Sequence, residues 1–273
     1  MRRLAILATL AALLAMTVPG AALASHEAEG RCSSGTMASG TYHDFVVTGS
    51  CTIAYGANVV IRGDLVIRNG ASLDDHGAEL WKAAQIHVRG SVYVGRGAVL
   101  ALGWNSPGGD GTLGPDTVGG SIIARRPLAL QIGGVTIGGS LISIGGGVLS
   151  TSAADFRNFP IKDNVIHGNL VVEGWKGGWI GFVRNTVGGN AVFAYNRSYS
   201  NDVTGPGTDP DSSEVMGTHI DLGGGNAVDI PQTIGGNLVC FGNLPAAHVN
   251  PADGGAPNTV GGKAIGECAG LTQ

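Results

Sequence analysis

Asn185-Thr186-Val187-Gly188-Gly189-Asn190-Ala191-Val192 and Gln232-Thr233-Ile234-Gly235-Gly236-Asn237-Leu238-Val239 are two copies of one unit: a β-branched residue, any residue, Gly, a small polar residue, then apolar residues. The unit recurs outward in both directions. It reads Val47-Thr48-Gly49-Ser50, Ile61-Arg62-Gly63-Asp64, Val88-Arg89-Gly90-Ser91, Val118-Gly119-Gly120-Ser121, Ile137-Gly138-Gly139-Ser140, Ile166-His167-Gly168-Asn169 and Val260-Gly261-Gly262-Lys263. The key glycines are spaced by 14, 27, 30, 19, 29, 21, 47 and 26 residues. Most of these intervals lie in the range of solenoids and arrays. Each interval is then about one coil, and each repeat position stacks on itself from coil to coil. The Val/Ile positions predict an inward aliphatic ladder. The residue after Gly predicts a polar ladder of Ser91, Ser121, Ser140, Asn169, Asn190 and Asn237, with Asn side chains bonding along the axis. The glycines are expected at sharp corners that need positive φ.

The fold class expected is therefore all-β, a parallel β-solenoid with a short N-terminal cap. Uneven coils suit a right-handed single-stranded β-helix with variable loops. A left-handed hexapeptide solenoid would need a strict six-residue rhythm, which is absent. An antiparallel sandwich requires no in-register repeat, and a propeller needs a steadier period. Composition agrees: 48 glycines oppose helices, while Val and Ile throughout oppose disorder. The expected organisation is a signal peptide over 1–24, a cap segment over 25–44 and the β-helix over 45–271. Gly/Pro-rich and acidic loops interrupt it near 103–116 and 196–226.

The Asn185–Asn190 and Thr233–Cys240 stretches, Asn258-Thr259-Val260-Gly261-Gly262 and the closing Gly266-Glu267-Cys268-Ala269-Gly270-Leu271 resemble small secreted bacterial β-helix repeat proteins. That resemblance covers most of 45–271. It implies a signal-bearing right-handed parallel β-helix with no assigned activity. The architecture is more distantly similar to pectate-lyase-like β-helices, but none of their active-site motifs is matched residue by residue.

Export follows from the first residues. Arg2 and Arg3 form a cationic start, residues 4–18 are almost wholly apolar, and Ala22-Leu23-Ala24 is a small-x-small cleavage signal. A mature chain beginning at Ser25 and lacking a membrane span is expected, secreted or cell-wall associated. All four cysteines lie beyond that point, and an even count in an oxidising compartment favours disulfides. The coil register sets Cys240 and Cys268 on adjacent coils, so the expected bridges are Cys240–Cys268 and, by the same logic, Cys32–Cys51.

Chemistry is sparse. The chain is mildly acidic, with net charge −4 and no Lys/Arg cluster in sequence, which opposes a nucleic-acid partner. Gly109-Asp110-Gly111-Thr112-Leu113-Gly114 matches a dinucleotide fingerprint only formally, without strand–turn–helix context. Asp209, Asp211 and Glu214 lack calcium-loop spacing, so no metal and no cofactor are expected. Asp74-Asp75-His76 reads as a turn, and acid–base work there would require a third group from an adjacent coil. Trp175, Lys176, Trp179 and Arg184, close to Phe182, form the one concentrated aromatic patch. It reads either as a carbohydrate or partner surface or as a corner packed by its own rings. The resulting expectation is a non-catalytic extracellular or cell-envelope structural or binding module, with carbohydrate a candidate ligand. The alternative, by fold analogy alone, is a polysaccharide lyase or glycoside hydrolase.

Overall fold

The computed structural model describes residues 29–75, 84–103, 116–148, 159–177, 180–198, 220–223, 232–244, 246–247 and 257–272. The signal peptide, His76, Trp179, Gly109–Gly114 and Asp209, Asp211 and Glu214 lie outside them. Among the described residues the secondary structure is short β-strands and one 3-10 turn, Glu267–Gly270. Strands pair in parallel with the equivalent strand of the next coil, an arrangement consistent with a parallel β-solenoid.

The coils place strands on three faces, and two of the coils add a further short strand, Lys176–Gly177 and Arg197–Ser198, which pair with each other. The first face is a nine-stranded sheet running from Gly40–Tyr42 and Asn58–Ile61 to Thr233–Ile234 and Thr259–Val260. The second takes the residues just after each repeat, from Leu65–Ile67 and Val92–Val94 to Leu238–Phe241 and Ala264–Gly266. The third includes Ser72–Asp74, Val99–Gly103, Ala129–Gly133, Phe159–Lys162, Ile180–Val183 and Ile220–Gly223. The long strand Phe45–Ile53 bends through the second and third faces, which joins them in one sheet. Strand Gly30–Met37 pairs along it and covers its other edge.

The inward ladder of the first face runs Ile61, Val88, Val118, Ile137, Ile166, Val187, Ile234, Val260 in unbroken register. Burial removes nearly all of these side chains from water, at about 1.5–3 kcal/mol each. Val47 does not belong to it. That residue pairs with Ile67 on the second face, and Tyr42 is the partner of Ile61. The first coil therefore turns at Tyr42-His43-Asp44-Phe45, a corner one residue shorter that has no glycine. This accounts for the anomalous interval of 14 residues in the repeat spacing.

The corner between first and second faces works differently from a stack of amides. Each corner side chain accepts a hydrogen bond from the main-chain N–H at the same position one coil later. The series runs Asp44 Oδ1 to the N–H of Asp64, Asp64 to Ser91, Ser91 to Ser121, Ser121 to Ser140 and Ser140 to Asn169. It continues from Asn169 to Asn190, Asn190 to Asn237 and Asn237 to Lys263, with heavy-atom distances of 2.8 Å in these last three. Asp, Ser and Asn serve equally because only one acceptor oxygen is needed. From Asp64 onward the glycine before each is required by space. A Cβ on Gly236 would lie 2.6 Å from Asn190 Oδ1 and 2.8 Å from the carbonyl oxygen of Gly189. None of these repeat glycines has positive φ; the expectation of a left-handed corner there is corrected to one of close approach.

Two further ladders lie inside. At the corner leading into the first face, Asn164, Asn185, Gln232 and Asn258 pass side-chain amide bonds of 2.9, 3.0 and 3.2 Å from coil to coil, ending on the Leu271 carbonyl. At the corner between second and third faces, Asn196 donates to Asn243, which donates to Glu267. Disulfides tie both ends of the stack. Cys32–Cys51 joins the capping strand to the first coil, and Cys240–Cys268 joins the last two coils, with Cα separations of 6.4 and 5.3 Å.

Buried polar groups with and without partners should behave oppositely. Asn185 makes four interior side-chain hydrogen bonds, so Asn185→Leu should lower unfolding stability by about 3 kcal/mol. Ser143 Oγ is buried without a partner, so Ser143→Ala should raise stability by about 1 kcal/mol. Chemical denaturation of both variants checks the assignment; equal effects of the same sign would refute it.

Candidate functional site

The residues singled out around Trp175 do not share a surface. Trp175 is fully buried, its main-chain N–H donates to Asn196 Oδ1 at 2.9 Å, and its ring lies beside Gly146 and Gly147 of the preceding coil. A Cβ on Gly146 would come within 2.7 Å of that ring. Arg184 is buried as well and forms a bidentate pair with Asp163, at 2.6 and 2.7 Å. Lys176 is exposed on the short strand Lys176–Gly177. Phe182 stacks on Phe193 in the core, with ring centroids 4.3 Å apart. The ligand surface expected on Trp175 and Arg184 is thus replaced by interior packing and an interior ion pair. Both residues stand at corners just after strands Leu170–Glu173 and Ile180–Val183, where Arg184 has φ 56 and pairs with Asp163 of the preceding coil.

The outer side of the second face carries a different feature. Its central outward column is Val46, Val66, Tyr93, Ile123, Ile142, Val171, Val192, Val239 and Ile265, in register over nine coils. All nine are apolar or aromatic and none is fully buried. A one-sided sheet ordinarily turns polar residues outward. A second outward row brings Ile144 and Phe241, and the adjoining corner brings Tyr195, whose ring meets Phe241 edge-on at 5.0 Å. A sequence signal for this face existed. Leu65-Val66-Ile67, Val92-Tyr93-Val94 and Leu170-Val171-Val172 are unbroken apolar triplets where alternation would place a polar residue in the middle.

At the N-terminal half of this face the column floors a groove of about 550 Å³, lined by Val66, Tyr93, Ile123 and Ile144 together with Arg68, Arg96, Arg125 and Arg126. All four arginines are exposed, and no acidic residue lines the groove. They are absent from the sequence as a cluster because they come from three successive coils, and the solenoid stacks them. Arg126 stands at φ 51 in a corner column that continues through Gly145, Gly174, Tyr195 and Gly242, all left-handed, so the corner itself imposes this conformation. A residue with a Cβ is disfavoured there by about 1 kcal/mol.

The one titratable pair of note in the interior is Asp75 with Asp116. Asp75 Oδ2 accepts the main-chain N–H of Gly103 and Asp116 Oδ1 that of Ile86, each at 2.8 Å, and the two carboxyls are close neighbours. Burial, and then the neighbouring Asp116, push the Asp75 carboxyl well above the usual range; nearby Asp74 adds to this. Burial also raises Asp116, against opposing hydrogen bonds and the adjacent His87. An adjacent segment does deliver a second carboxyl to Asp75, but the pair is sealed from solvent. Two such close carboxyls also lack the gap of roughly 5 Å or more that glycosidase chemistry needs. Lys162, held to about 8 by burial and by Arg184, lies beside the Asp163–Arg184 pair. Among the described residues no group of three or more metal-ligating side chains occurs, and no helix is long and apolar enough to cross a membrane.

Comparison of the chain with protein-family models, with curated proteins and with solved structures gives no match.

The Asp75–Asp116 pair sets a sign for pH dependence. Its folded-state affinity for a proton exceeds that of an unfolded carboxyl, so its contribution is greatest at low pH. That contribution declines as pH rises from about 4 through the raised value. Asp75→Asn mimics the neutral acid and should remove this decline. The stability difference, variant minus wild type, should therefore grow with pH in denaturant titrations. A difference that stays flat across the range would refute the raised proton affinity.

Proposed function

We propose that this chain is an exported, non-catalytic binding module, a right-handed β-helix whose outer second face binds carbohydrate. The observation that carries the reading is the apolar column running without interruption along nine coils. At a strand spacing of about 4.8 Å it extends for roughly 38 Å, far longer than a small molecule requires. Exposed apolar patches of that extent mark interaction surfaces. A polysaccharide offers alternating C–H faces and hydroxyl edges, which suits an apolar strip bordered by polar corners. Right-handed winding is supported by the strong preference of parallel crossovers for that hand. Export is supported by the leader-like residues 1–24 and by two disulfides. The hydrolase or lyase reading gains no support from the buried, closely spaced carboxyls.

Outward substitutions on this column should cost little stability, because the side chains they replace do not fill the core. The double variant Tyr93→Ser/Val171→Ser should keep the wild-type unfolding midpoint. It should lose about tenfold or more in affinity for the glycans that the wild-type protein retains on a glycan array. A parallel reducing-end assay should show no product. Unchanged affinity in the variant, or release of reducing ends by the wild type, would overturn the proposal.

A further inference from the structure

We infer that the arginine-lined groove on coils two to four is a subsite for an acidic polysaccharide, bound lengthwise along the solenoid axis; this rests on the glycan-binding reading above. Arg68, Arg96, Arg125 and Arg126 share one groove without a carboxylate among its lining residues. Four guanidiniums stacked at coil spacing repel one another, and the chain as a whole carries net charge −4. Such a concentration against the overall sign is relieved by an anion. The corner beneath is fixed rather than loose, since Asn69 Oδ1 accepts the main-chain N–H of Arg96 at 2.9 Å.

Guanidinium groups take carboxylate or sulfate in bidentate fashion, which sets the anionic class. The floor sets the rest. Val66, Tyr93, Ile123 and Ile144 offer C–H and ring contacts that a small inorganic anion would not use. The column continues past the groove through Ile142, Val171, Val192 and Val239, so a ligand anchored by its charges has an apolar track to follow. A single-stranded nucleic acid would want a series of stacking rings, and the groove has only Tyr93.

The test is isothermal titration of the mature full-length protein with three polymers: a polyuronate, a sulfated polysaccharide and a neutral dextran. An oligonucleotide and anionic phospholipid vesicles serve as further arms. Wild type should bind the acidic polysaccharides with an affinity that falls as salt rises. Arg96→Gln/Arg125→Gln should weaken that binding by about tenfold or more at an unchanged unfolding midpoint. Arg62→Gln/Arg89→Gln, at the opposite corner of the face, should weaken it less. Equal binding of acidic polysaccharide by wild type and Arg96→Gln/Arg125→Gln would overturn the subsite. Binding of neutral dextran alone would also overturn it, while leaving the glycan-binding face intact. Failure of every glycan would overturn both. Arginine-dependent binding of the oligonucleotide or vesicles without acidic polysaccharide would reassign the groove and refute the inference.

Discussion

One contact sets the geometry of the stack: the side-chain oxygen at the corner after each repeat glycine accepts the main-chain N–H of the same corner one coil later. A turn between two short strands leaves main-chain groups that neither sheet satisfies. In a solenoid those groups face the next coil, about 4.8 Å away. A short side chain with an acceptor oxygen reaches that far only if nothing stands between. The glycine on the following coil leaves that space empty, and a Cβ there would meet both the acceptor and the carbonyl beneath it. Glycine and acceptor are therefore one device split across two coils. Coils that differ widely in loop length still meet in register because this corner is repeated in each.

The interior ladders extend the same logic with a stricter requirement. Asn164, Asn185, Gln232 and Asn258 are buried, so both the donor and acceptor halves of each amide need partners. Each donates onward and accepts from behind, and the Leu271 carbonyl receives the last donor. Ser suffices at the outer corner because water is near; it could not replace an amide inside. Further back in the same column, Val135 interrupts the series and Asp116 stands in place of an amide. Its carboxyl neighbours that of Asp75, and burial raises both above the ordinary carboxylate range. That substitution links a structural position to pH where its neighbours are indifferent to it.

Register was legible in the sequence because Val or Ile two residues before glycine marks an inward position and a tight corner together. Legibility failed wherever a coil meets the same need with other residues. Asp44 turns the first corner without a glycine, so Val47-Thr48-Gly49-Ser50 presented a motif that belongs to another face. The Asn164–Asn258 ladder keeps a fixed place, two residues before the Val or Ile of its repeat, but it mixes Asn with Gln, and earlier coils put Asp116 and Val135 at the same position, so it was not read as a ladder. Proximity in sequence misled at Trp175 and Arg184, which are near neighbours along the chain and both point inward. Distance in sequence concealed the groove: Arg68, Arg96 and Arg125 are separated by 28 and 29 residues, each close to one turn of the solenoid.

A three-faced solenoid separates the residues that make it stable from those available for recognition more cleanly than most folds. Along each strand of the second face the flanking residues face inward and the middle one faces out. Leu65 and Ile67 hold the second coil while Val66 contributes to the surface. Exchanging an outward residue leaves the core columns, the corner oxygens and the disulfides untouched. A polar residue at each of these nine outward positions would satisfy folding equally well. Their uniform apolar character is therefore not demanded by the architecture. It meets the gathered arginines over coils two to four. That meeting of apolar column and arginines sets this surface apart from the sealed interior, and it is the ground on which the proposed recognition is assigned to it.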